Sequence, residues 1–141
     1  MTPVFQKSKG KVGDCFKSCV ASILDLPHAA VPDWFNDAGL EAGDPIPDAC
    51  LETMTAWFKK RGLCLWDVPF DAANGEFVME QVGLHHKGVH YIVSGKSIQG
   101  FDHAVVARDG AVVHDPAGPH VGFFGPTSSG YYHISIIGAF V

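Results

Sequence analysis

The sequence predicts an α+β domain, helical in its first half and an antiparallel sheet in its second. Two observations carry this. Apolar residues fall at helical spacing up to about residue 62, as in Phe16, Cys19, Val20, Ile23 and Leu24. Beyond that point, short runs rich in β-branched and aromatic residues alternate with Gly and Pro clusters. Helices first and strands second is the pattern of an α+β fold.

The first predicted helix opens at Gly13-Asp14, with the Asp14 carboxylate as its N-cap, and Pro27 stops it. A second, short helix is expected over 30–37, carrying Trp34 and Phe35. A third runs from Pro47-Asp48 to about Arg61. Its apolar face is Cys50, Leu51, Met54, Trp57 and Phe58, and Gly62 is its stop. The expected strands are 63–68, 89–95, 103–108, 111–115 and 131–141. Asp109-Gly110 joins two of them as a tight hairpin. A boundary near residue 75 would leave two halves too small to fold alone. The chain therefore reads as one domain over 1–141, with a helical lobe over about 1–62 and a sheet lobe over about 63–141.

Composition narrows the function. The 141 residues are 47% hydrophobic and 18% charged, enough to bury a core and too apolar for disorder. The formal net charge is −5, and the basic residues do not form the cluster a nucleic-acid footprint needs. No apolar run approaches the ~20 residues of a membrane span. The first residues, MTPVFQKSKGKVG, lack the apolar core of a secretory signal, so a cytoplasmic protein is expected, with no membrane or nucleic-acid partner. In a reducing compartment Cys15, Cys19, Cys50 and Cys64 are thiols.

These cysteines are not equivalent. Cys19, Cys50 and Cys64 lie on apolar faces or within apolar runs and read as buried packing residues. Cys15 lies in the first helical turn. There the helix dipole and free amides favour an anion, lowering a thiol's pKa and offering donors to an oxyanion. A cysteine nucleophile needs a base, and the base an orienter.

The candidates lie in GFDHAVVARDGAVVHDPAG, where His103 begins one strand and Asp115 ends the next. Their meeting depends on the hairpin register. A two-residue Asp109-Gly110 loop sets His103 against Pro116 and turns Asp115 away. A three-residue Arg108-Asp109-Gly110 loop, with Gly110 left-handed, pairs Ala107 with Ala111, Val105 with Val113 and His103 with Asp115. Opposed residues on one face have Cβ atoms roughly 5 Å apart, within reach of a carboxylate–imidazole bond. The three-residue loop is the expected one because it joins base and orienter directly, although sequence alone does not choose the register.

A DC at a helix start, a strand-initial HAVV and a DP closing the next strand resemble the papain-like cysteine peptidases. The chain is most similar to the compact bacterial branch that includes the double-glycine, bacteriocin-processing peptidases, and to small proteins of bacteria and their viruses. The resemblance spans roughly residues 6 to 118. It implies a papain-like fold in which the nucleophile's helix packs on the antiparallel sheet. It implies a cysteine peptidase or related thiol hydrolase acting on a peptide or protein, with no cofactor or metal. Cys15 would be the nucleophile, His103 the general base and Asp115 the residue that orients it. A glutamine upstream of the cysteine donates to the oxyanion in that family, and Gln6 is the one available here. Gln6 lies nine residues before Cys15, a longer gap than is usual there, and Phe16 follows the cysteine where many relatives carry a small residue.

Three rival readings stand beside this one. An amidase, acyltransferase or deconjugating enzyme would use the same triad. A non-catalytic binding module would keep the fold without the chemistry. A structural zinc site would draw on His85, His86 and His90, or on Cys15 with Cys19. It lacks the paired short knuckles such sites favour. His114 alternates to the far side of the sheet from Asp115, and His90 and His133 read as hydrogen-bonded sheet residues. Trp34, Trp57 and Trp66 read as core. Residues 118–130 lack a phosphate-loop pattern and read as a loop rimming the cleft.

Overall fold

The computed structural model of the chain describes residues 1–8, 13–41, 43–71, 75–120 and 122–139. Its elements are α1 (Cys15–Ile23), a 3-10 turn (His28–Ala30), α2 (Trp34–Asp37), α3 (Asp48–Lys59), β1 (Leu63–Phe70), α4 (Gly75–His85), β2 (His90–Ser97), β3 (Asp102–Arg108), β4 (Ala111–His114), β5 (Phe123–Gly125) and β6 (Tyr132–Ala139). The α+β order, helical first and antiparallel sheet second, is as expected. Residues 140 and 141, the end of the last expected strand, lie outside the described residues.

The strands lie in the order β1-β6-β2-β3-β4, every neighbour antiparallel, with β5 paired to the far end of β2. Alternation along the central strands sends side chains to two cores. Ile92, Ala104 and Val106 face α1, α2 and α3, packing with Cys19, Val20, Trp34, Met54 and Phe58. Tyr91, Val93, Val105 and Ala107 face the other way, packing with Val78, Met79 and Val82 of α4. The middle of the sheet is thus covered on both faces. No described helix is long and apolar enough to cross a membrane.

Several local expectations change. Residues 30–37 do not form one helix: the 3-10 turn ends at Ala30, and Pro32 separates it from α2. Proline fixes its own φ and biases the preceding residue toward extended backbone, and Val31 lies there at φ −103° and ψ 129°. Asp14 sits at the N-cap position of α1, but its side chain makes no capping bond. Its carboxylate is used elsewhere, as described below. Cys64 is half-buried and accepts the Trp66 indole N–H at 3.1 Å, and Trp66 itself is exposed. Both sit on β1, an edge strand that α4 does not cover.

The β3–β4 hairpin differs in the detail that matters most. Arg108 pairs with Ala111, so the loop has two residues and not three. Asp109 (φ 52°) and Gly110 (φ 85°) are both left-handed, as a type I′ turn requires, and that turn matches the twist of the flanking strands. The ladder then slips. Ala107 pairs with Val112, but Val106 pairs with His114, leaving Val113 opposite no residue. This bulge adds one residue to β4 and reverses the facing of everything after it.

Candidate active site

The slip delivers Asp115 to His103. Unbulged, a two-residue loop would point the two away from each other. With Val113 extruded, Asp115 returns to the His103 side of the ladder, and Asp115 Oδ1 lies 2.7 Å from His103 Nε2. The sheet thus brings His103 and Asp115 together by a route other than the expected three-residue loop.

With Nε2 committed to Asp115, Nδ1 is the ring nitrogen left for the thiol. The Cys15 side chain acts on that ring, raising the His103 pKa through hydrogen bonding and charge. Cys15 is the first residue of α1, and α1 packs across β3, where His103 is the second residue. The half-buried thiol therefore meets the imidazole at the N-terminus of a nine-residue helix. Because the Asp14 carboxylate turns away, no N-cap side chain occupies the first-turn amides. Phe16 points into the core, its ring 5.9 Å from Phe35 and 6.4 Å from Trp34, so its bulk does not stand over the thiol.

The electrostatics favour an ion pair between His103 and Asp115. Burial opposes charge on His103, but the bonds to Asp115 and Cys15 outweigh it and raise the imidazole's pKa to about 9. Burial likewise opposes charge on Asp115. Donation from His103, His120 and the Ala117 amide outweighs it and lowers the carboxyl's pKa to about 2. Cys19 is fully buried, and its thiol pKa is pushed well up, first by burial and then by the neighbouring Cys15 and Asp115 charges. Of the two cysteines in this helix, Cys15 lies by the His103 imidazole and Cys19 packs in the core.

His120 was not legible in the sequence. Its Nδ1 lies 2.9 Å from Asp115 Oδ2, and its ring packs edge-on against Phe123 at 5.4 Å. The only signal was chemical: a buried carboxylate has a second oxygen that needs a donor.

Gln6 is brought to the same region. Its backbone N–H donates to the Pro116 carbonyl at 3.0 Å, beside Asp115. Its side-chain Nε2 lies 4.0 Å from where a Cβ on Gly13 would stand, two residues before Cys15. Gln6 Oε1 is buried with no hydrogen-bond partner. Asp14, buried beneath this segment, accepts the Lys7 and Ser8 amides at 3.1 Å each and bonds His28 Nε2 at 2.5 Å.

Two other histidines have partners of their own. His114 Nε2 bonds the Val4 carbonyl at 2.7 Å on the α1 side of the sheet. His133 lies between Asp67 and Ser129, at 3.0 Å from each, on the β1–β6 ladder. Among the described residues no group of three or more His, Cys, Asp or Glu side chains is placed to hold a metal ion. Comparisons with family models, curated proteins and solved structures return no match, so the functional reading rests on the geometry.

Proposed function

We propose that the protein is a cysteine-dependent hydrolase with a papain-like fold, cleaving an amide or peptide bond of a peptide or protein substrate in the cytoplasm. One observation carries the reading: a single imidazole bonded to a buried carboxylate, its pKa raised by that carboxylate and by a thiol at a helix N-terminus.

The chemistry follows from that arrangement. With His103 protonated, Cys15 is the thiolate, and its sulfur attacks the substrate carbonyl carbon. The carbonyl electrons move onto oxygen, where the Cys15 N–H and the Gln6 side-chain amide donate to the oxyanion. As the carbonyl re-forms, the C–N bond breaks and His103 gives its proton to the departing amine. A water, deprotonated by His103, then attacks the thioester carbonyl. The acid leaves, and the thiolate–imidazolium pair is restored. Asp115 holds the imidazole in one orientation throughout. No step calls on a metal or cofactor.

An amidase, acyltransferase or deconjugating enzyme would run the same first half-reaction. Hydrolysis of a library of amide substrates, compared with Cys15→Ala, tests the proposal. Turnover that requires Cys15 supports it. Turnover that survives Cys15→Ala would overturn it.

A further inference from the structure

We propose that Asp14 and His28 form a positioning pair that sets the Gln6 side chain against the reacting carbonyl. The inference rests on Cys15 being the nucleophile and adds two residues to its site.

An aspartate directly before a nucleophilic thiolate needs an explanation. Its charge repels the thiolate, and its burial is costly unless the carboxylate is fully partnered. The usual role at this position, capping α1, is not the one it plays. Instead Oδ2 accepts the Lys7 amide and Oδ1 the Ser8 amide, the two peptide groups that follow Gln6. His28, arriving from the 3-10 turn beyond α1, supplies the third bond through Nε2. Only 3% of Asp14 is exposed.

Gln6 is thereby pinned from both sides. Its own N–H is held by the Pro116 carbonyl, next to Asp115, and the peptide groups after it are held by Asp14, next to Cys15. The side chain has no such hold, since Oε1 finds no partner. Placement of the amide beside Gly13 thus depends on the backbone anchors. The arrangement also answers the long spacing between Gln6 and Cys15. The Asp14 carboxylate fastens the far end of that connection to the helix start.

The test compares two reactions of one thiol. Acylation of Cys15 by p-nitrophenyl acetate forms a tetrahedral oxyanion. The sulfur–carbon bond forms, the ester C–O bond breaks, and p-nitrophenolate leaves. Alkylation by iodoacetamide displaces iodide and forms no oxyanion. His28→Phe and Asp14→Asn should each slow acylation about tenfold or more relative to alkylation of the same variant, and in His28→Phe alkylation should stay within about twofold of the unaltered protein. His28→Gln, whose amide can donate to the same carboxylate, should restore most of the acylation rate. Gln6→Ala combined with His28→Phe should be no slower than Gln6→Ala alone. An equal fall in both reactions, or additive losses in the double variant, would show that the pair only supports the fold and would overturn the proposal. Should Asp14→Asn not fold, the two His28 variants decide alone. Normal acylation in His28→Phe would overturn the pair and leave the nucleophile standing. Absence of Cys15 acylation in the unaltered protein would overturn both.

Discussion

His103 and Asp115 meet at 2.7 Å across a hairpin whose ladder slips by one residue at Val113. The slip is what makes them partners. The tight Asp109-Gly110 turn alone would send their side chains to opposite faces of the sheet. Deleting Val113 should therefore cost the imidazole its carboxylate. Cys15 reactivity below neutral pH should fall in the deletion variant, with the far-ultraviolet circular dichroism retained. Unchanged reactivity would show that the bulge is dispensable.

Gly83 fixes where that hairpin docks. A Cβ added there would lie 2.3 Å from the Gly110 backbone nitrogen, with Asp109 and Gly110 backbone atoms as its nearest neighbours. In an exposed helix interior Gly→Ala stabilises by up to ~1 kcal/mol. Here the turn would have to move off α4, so Gly83→Ala should destabilise by about 2 kcal/mol or more. Urea unfolding measures it, and a stabilised variant would contradict the packing.

Cys19→Ala should destabilise by about 1 kcal/mol while leaving Cys15 chemistry intact, because Cys19 is a fully buried packing residue. Urea unfolding and thiol labelling together check this. A variant that folds normally but loses all hydrolytic activity would assign the nucleophile to Cys19.

His120→Ala should act through Asp115. With that donor gone, the carboxyl's pKa should rise from about 2, which carbon-13 NMR of the Asp115 carboxyl across an acid pH series reads directly. An unmoved carboxyl titration would leave His120 as packing against Phe123 only.

Stability should follow the two shifted groups. His103 binds its proton more tightly in the folded state, near 9 against 6.5. Its contribution is complete below about pH 6.5 and lost as pH rises through about 9. Asp115 is shifted the other way, near 2 against 3.8. Its contribution is complete above about pH 4 and lost as pH falls through about 2. Thermal unfolding should therefore be most resistant between about pH 4 and 6.5. The fall in Tm toward pH 9.5 should be smaller in His103→Ala, and an equal fall would contradict the shift.

The site's parts were legible where chemistry is local. The α1 helix start, the histidine near the start of β3 and the aspartate after β4 each follow from short-range pattern. What joins them is not local. The Asp109-Gly110 turn seats against Gly83 of α4, a helix that the sequence does not announce. Val78, Met79 and Val82 have helical spacing, but Gly75, Gly83 and Gly88 break the segment into what looks like loop. Asp14 matched the expected helix cap by residue type. Only the approach of Lys7, Ser8 and His28 from elsewhere in the chain decides otherwise. His120 lies in a Gly- and Pro-rich stretch with no periodicity, and Asp115 alone gives it meaning.

The central claim is that Cys15 and His103 act as one thiolate–imidazolium pair. Brief iodoacetamide alkylation of the native protein across a pH series, read by mass spectrometry for each cysteine, tests it most directly. Cys15 should label first, and its labelling should persist well below pH ~8.5, where a free cysteine is largely protonated. In His103→Ala that low-pH reactivity should vanish. Equal labelling of Cys15, Cys19, Cys50 and Cys64, or a Cys15 profile unchanged in His103→Ala, would contradict the catalytic pair and favour a binding module built on the same fold.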